Sequence, residues 1–365
     1  MSDEDQLKAL RKRIDTIDEK ILDLISERAA CAQTVAQVKQ KALEPGVKPL
    51  FYRPEREAWV LKHIMELNKG PLDNEEVARL FREIMSACLA AEKTLQVAYL
   101  GPEGSFTQAA AQKHFGGSVE LHSMSTIADV FHAVETGHAC YGVVPVENST
   151  EGMVSHTLDR FIASPLKING EVTLRIHHYL LSKEKDLNSV RKVYAHPQAL
   201  AQCRQWLTEE LADAELIPLN SNAEAARKVA SEPAGTAAIA ANRAAEIYGL
   251  SVLANNIEDE VDNTTRFLVI GSQEVGATGV DKTALLVSTK NKPGALQSLL
   301  TPLAENGISM TRIESRPSRK GIWEYVFFID IEGHISEAEV GGALKRLEQE
   351  SSMFRILGSY PKAVL

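Results

Sequence analysis

Apolar residues near the start of the chain recur at spacings of three and four: Leu7, Leu10, Ile14, Ile17, Ile21 and Leu24, continued by Cys31, Val35 and Val38. That period predicts one long amphipathic helix, ended by Pro45-Gly46. Two more helices are predicted over residues 53–68 and 73–93, with Gly70-Pro71 between them. A three-helix hairpin with so long a first arm buries its own stripe poorly, so the pattern predicts pairing with a second copy.

From residue 95 the pattern changes to short apolar runs alternating with helical stretches. Strands are predicted at 95–100, over most of 168–181, and at 193–195, 236–240 and 266–270; helices are predicted at 198–211 and 223–230. This alternation reads as α/β, two lobes with a cleft between them. Near the middle, residues 141–152 read Tyr-Gly-Val-Val-Pro-Val-Glu-Asn-Ser-Thr-Glu-Gly. Val143, Val144 and Val146 predict a strand buried on both faces, delivering Glu147, Asn148, Ser149 and Thr150 at its carboxyl end. A helical pattern of Met153, Thr157, Leu158 and Phe161 follows, so Ser149 or Thr150 reads equally well as an N-cap or as part of a ligand site.

Residues 271–281 are rich in Gly, Ser, Thr and Ala and read as a linker. After it come a strand (283–288), a turn (291–294), a helix (295–306) closed by Gly307, and strands at 308–315 and 324–331. A helix (336–349) and a last strand near 354–357 complete the chain. The order βαββαβ predicts a ferredoxin-like α+β module.

The total of 365 residues favours two or three domains. A formal net charge of -9 argues against nucleic acid or an anionic membrane as partner. The opening Met-Ser-Asp-Glu-Asp lacks an apolar run, which predicts no signal peptide, and nothing approaches a membrane span. Cys31, Cys88, Cys140 and Cys203 are scattered without CxxC spacing, which predicts reduced thiols, no metal and a cytoplasmic protein.

Candidate chemistry appears first in the long helix. Arg28 occupies a slot in the apolar stripe, where a guanidinium is costly unless an anion meets it. Lys39, eleven residues on, lies about 20° round the helix and roughly 16 Å along it, so the two can grip the ends of a small dianion. Arg11 is about 25 Å from Arg28 by the same rise and can join them only from a partner subunit. The stretch resembles the all-helical chorismate mutase family, whose LxxLRxxIDxID opening is here Leu7 to Asp18 and whose R-E pair is Arg56-Glu57. The resemblance implies that Arg11, Arg28, Lys39, Arg56 and Glu57 line a chorismate pocket. Where well-known members have Ser and Gln one turn apart, this chain has Cys88 and Glu92, and where they have Asp three before the R-E pair it has Arg53. The reaction is a pericyclic rearrangement that needs charge stabilised on the breaking ether oxygen. Lys39 can donate to that oxygen; Glu92 can do so only when protonated.

The central stretch carries Gly101-Pro-Glu-Gly-Ser-Phe-Thr107, the Glu147-Asn-Ser set and Thr265-Arg-Phe267. The glycine loop matches neither GxGxxG nor GxxxxGK[ST] and better suits a small carboxylate held by backbone N–H groups. In this order the three stretches resemble the GPxG(S/T)FT, PVENS and TRF motifs of the prephenate dehydratase family. That resemblance implies Thr265 as the donor to the leaving hydroxyl of prephenate, with Asn148, Gln202, Ser105 and Thr107 positioning substrate and Arg266 and Glu147 bracing the site. Family members often have Ser where this chain has Ala195, before His196-Pro197-Gln198. His196, followed by Pro197, reads as a turn residue.

In the last module, Gly294-Ala295-Leu296 and Glu314-Ser315-Arg316-Pro317 resemble the two phenylalanine-binding motifs of regulatory ACT domains. N–H groups at the helix start can take an amino acid's carboxylate. The whole reads as a cytoplasmic, multidomain, bifunctional enzyme of phenylalanine biosynthesis. Its parts are an all-α mutase domain at 1–95 forming an intertwined dimer, a two-lobed α/β dehydratase domain at 96–272 and an α+β ACT domain at 281–365. It needs no cofactor, because neither step is redox, and it forms a homodimer or higher homo-oligomer. Two rivals stand beside this reading: a preference for arogenate over prephenate, and a non-catalytic amino-acid sensor.

Overall fold

A computed structural model describes residues 2–42, 52–289, 292–317 and 325–364. The expected helix stop at Pro45-Gly46 and parts of the expected turn at 291–294 and strand at 324–331 lie outside the described residues. Three helices come first: α1 (Asp3–Ala42), α2 (Pro54–Leu67) and α3 (Asn74–Glu92). Acidic Asp3, Glu4 and Asp5 in the first turn of α1 and Lys39 and Lys41 in its last complement the helix dipole. Pro54 opens α2 in its first turn, and the Asp73 carboxylate caps α3 by accepting from the Glu76 N–H. Leu7, Leu10, Ile14, Ile17, Ile21 and Leu24 are between 45% and 64% exposed, so among the described residues of one chain this part of the predicted stripe finds little to pack on.

The next elements alternate: β1 (Gln96–Leu100), α4 (Phe106–Phe115), β2 (Glu120–Met124), α5 (Ile127–Glu135), β3 (Tyr141–Asn148), β4 (Gly152–Met153), α6 (Ser155–Ala163) and β5 (Lys167–Arg175). The chain then crosses into a second lobe made of β6 (Tyr179–Ser182), β7 (Lys192–Ala195), α7 (Pro197–Gln202), α8 (Arg204–Glu210), β8 (Glu215–Pro218), α9 (Asn222–Ser231), β9 (Thr236–Ala240), α10 (Asn242–Tyr248) and β10 (Ser251–Ala254). It returns through β11 (Thr264–Gly271) to the first sheet, whose order is β2-β1-β3-β11-β5; the second is β10-β6-β9-β7-β8. Each lobe has its own buried clusters. As its pattern predicts, β3 is covered on both faces: Val144 and Val146 join one cluster, Tyr141 and Val143 the other.

Three expectations change. The predicted helix at 198–211 is two helices broken at the buried Cys203, because Asp259 offers its carboxylate to the N–H groups of Gln205 and Trp206 and caps a fresh N-terminus. The predicted strand over 168–181 is two strands in different sheets, β5 and β6, with His177 and His178 at the crossing. Ser149 and Thr150 cap no helix. The Asn148 side chain accepts from the N–H groups of Thr150 and Glu151, and that turn folds the chain back as the β3–β4 hairpin before α6 begins.

The C-terminal elements are β12 (Asp281–Ser288), α11 (Ala295–Glu305), β13 (Met310–Pro317), β14 (Tyr325–Glu332), α12 (Ala338–Glu350) and β15 (Met353–Pro361), in the expected βαββαβ order, with sheet order β13-β14-β12-β15. Alternation along β12 sends Leu285 and Val287 to α11 and α12, and Ala284 and Leu286 into the cluster of the first lobe. Where β15 meets β5, a Cβ at Gly358 would fall on the Ile168 backbone. Neither side can yield there, so Gly358→Ala is expected to destabilise the interface by about 1–3 kcal/mol. A lower thermal midpoint checks this, and an unchanged midpoint contradicts it.

Candidate active sites

Helices α1, α2 and α3 converge on a cavity of about 270 Å³ lined by Arg28 and Lys39, by Arg56 and Glu57, and by Cys88 and Glu92. Arg53 lines it too and pairs with Glu55 at 2.6 Å. The Arg56 guanidinium sits 4.3 Å over the Trp59 ring, which fixes its direction. Burial raises the Glu92 pKa against the opposing pull of Lys39 and Arg28. Burial also raises that of Glu57, countered by the Arg82 guanidinium, whose Nε donates at 3.2 Å, and by a hydrogen bond from Tyr52. Arg11 is exposed on α1, seventeen residues before Arg28 and outside this cavity.

Between the two lobes lies a cleft of about 250 Å³. The loop containing Ser105 and Thr107, together with Thr265 and Phe267, lines it from one side; His196, Gln198 and Asn222 line it from the other. The glycine loop departs from expectation, because the N–H groups of both its glycines and of Ser105 are already used within the protein. Gly101 donates to Met124 O, Gly104 to the Gln108 side chain at 2.6 Å, and Ser105 to Pro102 O. What α4 keeps for a ligand are the first-turn N–H groups of Phe106 and Thr107. Ser105 Oγ caps that helix, accepting from Gln108 N–H and donating to Leu100 O.

Register sets up the rest of the cleft. Antiparallel pairing of β3 with β11 places Asn148 opposite Thr265 and Glu147 opposite Arg266. Asn148 Oδ1 accepts three hydrogen bonds, from Thr150 N–H, Thr150 Oγ1 and Glu151 N–H, so its amide cannot be turned round. Asn148 Nδ2 therefore donates, to Thr265 Oγ1 at 2.9 Å and to Asn263 Oδ1 at 2.8 Å. Asn263 Nδ2 donates on to Gln202 Oε1, and Gln202 Nε2 to Thr150 Oγ1, which closes a ring. His178 Nε2 reaches the same Gln202 Oε1 at 2.8 Å; an amide oxygen only accepts, so His178 carries its hydrogen on Nε2. Burial lowers the pKa of His178, which favours the neutral ring. Asn148 and Gln202 thus spend their hydrogen-bonding groups on this ring, while Thr265 Oγ1, which accepts from Asn148 beside the ring, meets no acceptor among the described residues and keeps its own hydrogen for the cleft.

Arg266 points to the opposite side of the sheet from Thr265. It pairs with Glu171 and with Asp330 of β14, both at 2.8 Å, and donates to the Tyr360 hydroxyl of β15. Glu147 lies 3.9 Å from Arg266 and 3.8 Å from Arg312. In the C-terminal module, Gly294 adopts a left-handed backbone (φ 77°) at the start of α11, with Ala295 buried and Leu296 exposed. Glu314, Ser315, Arg316 and Pro317 lie on the edge strand β13. Arg316 is tied to α6 by Ser155 at 3.0 Å and Asp159 at 3.1 Å. Among the described residues no group of His, Cys, Asp or Glu is arranged to hold a metal, and no helix is long and apolar enough to cross a membrane.

Comparison with known proteins follows the same three segments. The family model for chorismate mutase type II matches residues 10–93, that for prephenate dehydratase 97–275 and that for the ACT domain 283–349. The bifunctional chorismate mutase/prephenate dehydratase of Pseudomonas aeruginosa is 60% identical over 100% of both chains. The chain belongs to this family. The bifunctional relative of Aquifex aeolicus is 47% identical over 99% of both chains. The solved prephenate dehydratase from Arthrobacter aurescens in complex with L-Phe is 35% identical, with a TM-score of 0.68 over 73% of this chain and 89% of that one.

A bifunctional chorismate mutase/prephenate dehydratase rearranges chorismate to prephenate and then converts prephenate to phenylpyruvate. Several residues placed beside its two cavities escaped the sequence reading. Asn263 and His178 complete the ring behind Thr265, yet in sequence Asn263 only precedes a strand and His178 falls within the stretch 168–181 read mostly as strand. Arg82 breaks the apolar face of α3 just as Arg28 breaks that of α1, a signal that was there to be read. His196 was read as a turn residue. It does cap α7 through Nδ1, and it also lines the cleft.

Proposed function

We propose that chorismate rearranges in the helical cavity and that prephenate is decarboxylated and dehydrated in the cleft between the lobes. In the cavity, Arg28 and Lys39 meet the two carboxylates and the ether oxygen of chorismate, with Arg56 adding positive charge and Cys88 packing beside them. A carboxylate such as Glu57 is repelled by a dianion everywhere except at the substrate's hydroxyl, which is the group it accepts from. Arg11 reaches the cavity from a second copy, for which the exposed stripe of α1 speaks. We assign the domains to 1–95, 96–272 and 281–365, the assembly to a homodimer or higher oligomer, and the compartment to the cytoplasm.

In the cleft, the ring carboxylate of prephenate leaves as carbon dioxide. The bonding pair it leaves behind completes the aromatic ring as the hydroxyl departs as water, taking up one proton from solvent. Thr265 Oγ1 donates to that departing hydroxyl, and Asn148, Asn263 and Gln202 fix its direction as positioning residues. Thr107 N–H and Phe106 N–H, with Ser105 beside them, receive the remaining carboxylate. The observation that carries this reading is the fixed amide of Asn148, which makes Thr265 a donor toward the cleft. Phenylalanine binds at Gly294, Ala295 and Leu296 and at Glu314 to Pro317, and slows the dehydratase by feedback.

Glu92 tests the mutase half. Burial raises its pKa, and only the protonated form can donate to the ether oxygen, so mutase activity is expected to fall as pH rises through that pKa. Glu92→Gln keeps a donor at every pH and should flatten that limb of the kcat/KM profile. A Gln variant with the parent's profile contradicts the role.

A further inference from the structure

The mutase cavity is not closed by its own three helices. Two of its lining residues, Leu95 and Phe115, lie beyond α3, and Phe115 is the last residue of α4. The first turn of this same ten-residue helix lines the dehydratase cleft, so one rod about 15 Å long borders both cavities.

The far end of α4 makes three contacts with the mutase segment. The Phe115 ring packs on Tyr52 with centroids 5.3 Å apart. His114 Nε2 lies 3.2 Å from the Tyr52 hydroxyl, and the Lys113 carbonyl accepts from Arg82 Nη1 at 2.9 Å. Tyr52 and Arg82 are the two groups that hold Glu57. Bond directions follow from chemistry. With Glu57 ionised it only accepts, so Tyr52 gives it its single hydrogen, and the hydrogen between His114 and Tyr52 then comes from His114 Nε2. Burial, helped by the charge of Arg82, pushes the His114 pKa down to about 3, which leaves the neutral ring this chain of bonds requires. The ring is pinned against β5, where a Cβ on Gly170 would come within 3.1 Å of it.

We propose that the dehydratase domain completes the mutase active site: Phe115 supplies an apolar wall, and His114, through Tyr52, and Lys113, through Arg82, act as positioning residues that aim Glu57 at the substrate. The proposal rests on reading this cavity as the mutase site. Two controls built into the test separate the claims.

The experiment uses the full chain. Tyr52→Phe keeps the ring packing and removes only the hydroxyl, and His114→Leu removes the donor behind it together with the ring's edge contacts to Tyr52 and Phe115. Each is expected to raise the mutase KM for chorismate about tenfold with a smaller change in kcat, because Glu57, no longer aimed, holds the ground-state hydroxyl less well. Dehydratase kcat/KM on supplied prephenate should stay at the parent level, which also reports folding. His114→Gln restores an N–H donor at similar reach and should recover most of the KM. If Tyr52→Phe and His114→Leu leave the mutase KM within twofold, the proposal is overturned. The same holds if His114→Gln behaves like His114→Leu. Lys39→Ala, assayed alongside, tests the site itself: intact mutase activity there rejects the cavity, whatever the other variants do.

Discussion

Thr265→Ala is expected to lower dehydratase kcat about a hundred- to a thousandfold, while the same preparation still consumes chorismate at the parent rate. The size follows from removing one oriented donor from a departing group, which typically costs that much. Orientation is the part specific to this chain. Asn148 Nδ2 donates to Thr265 Oγ1 at 2.9 Å and is held to that role by three donors on its own oxygen. Thr265→Ser keeps the hydroxyl and should retain most of the rate. Thr265→Val keeps shape without a donor and should resemble Ala. Initial rates on purified prephenate check all three, and a Val variant near the parent rate would remove Thr265 from the chemistry.

Arg28→Ala is expected to have the mirror effect. Mutase kcat/KM should fall about a thousandfold, on the order of 4 kcal/mol, as for truncating one partner of a desolvated charge pair. Dehydratase rates on supplied prephenate should be untouched. Arg28 sits with Lys39 and Arg56 around a cavity with two acidic residues, Glu57 and Glu92, so a bound dianion finds excess positive charge. Arg28→Lys keeps the charge but not the planar fork and should recover only part of the loss. Loss of both activities in a folded Arg28→Ala protein would refute the separation of the sites.

What the sequence made legible was periodic or local. The stripe from Leu7 to Leu24 announced α1, and the βαββαβ order after residue 281 announced the C-terminal ferredoxin-like module. The run from Val143 to Val146 announced a strand covered on both faces. Thr265 in the cleft and Asn148 behind it were found separately, and the β3–β11 register then set them opposite each other. What stayed hidden depends on chain segments far apart. Asn263 and His178 acquire meaning only when the return of β11 closes the ring with Gln202. The break at Cys203 needed Asp259, more than fifty residues away, to cap α8. The expected grip of the glycine loop on a carboxylate was weakened by Gln108, whose side chain takes the Gly104 N–H. Nothing local in Phe115 says that it walls a cavity formed by the preceding domain.

The most direct test of two separate sites in one chain is to feed chorismate to the Thr265→Ala protein and quantify both products with time. Prephenate should accumulate, matching the chorismate consumed, with phenylpyruvate held at the slow residual rate. Chorismate left unconsumed, or phenylpyruvate released at the parent rate, would contradict the account.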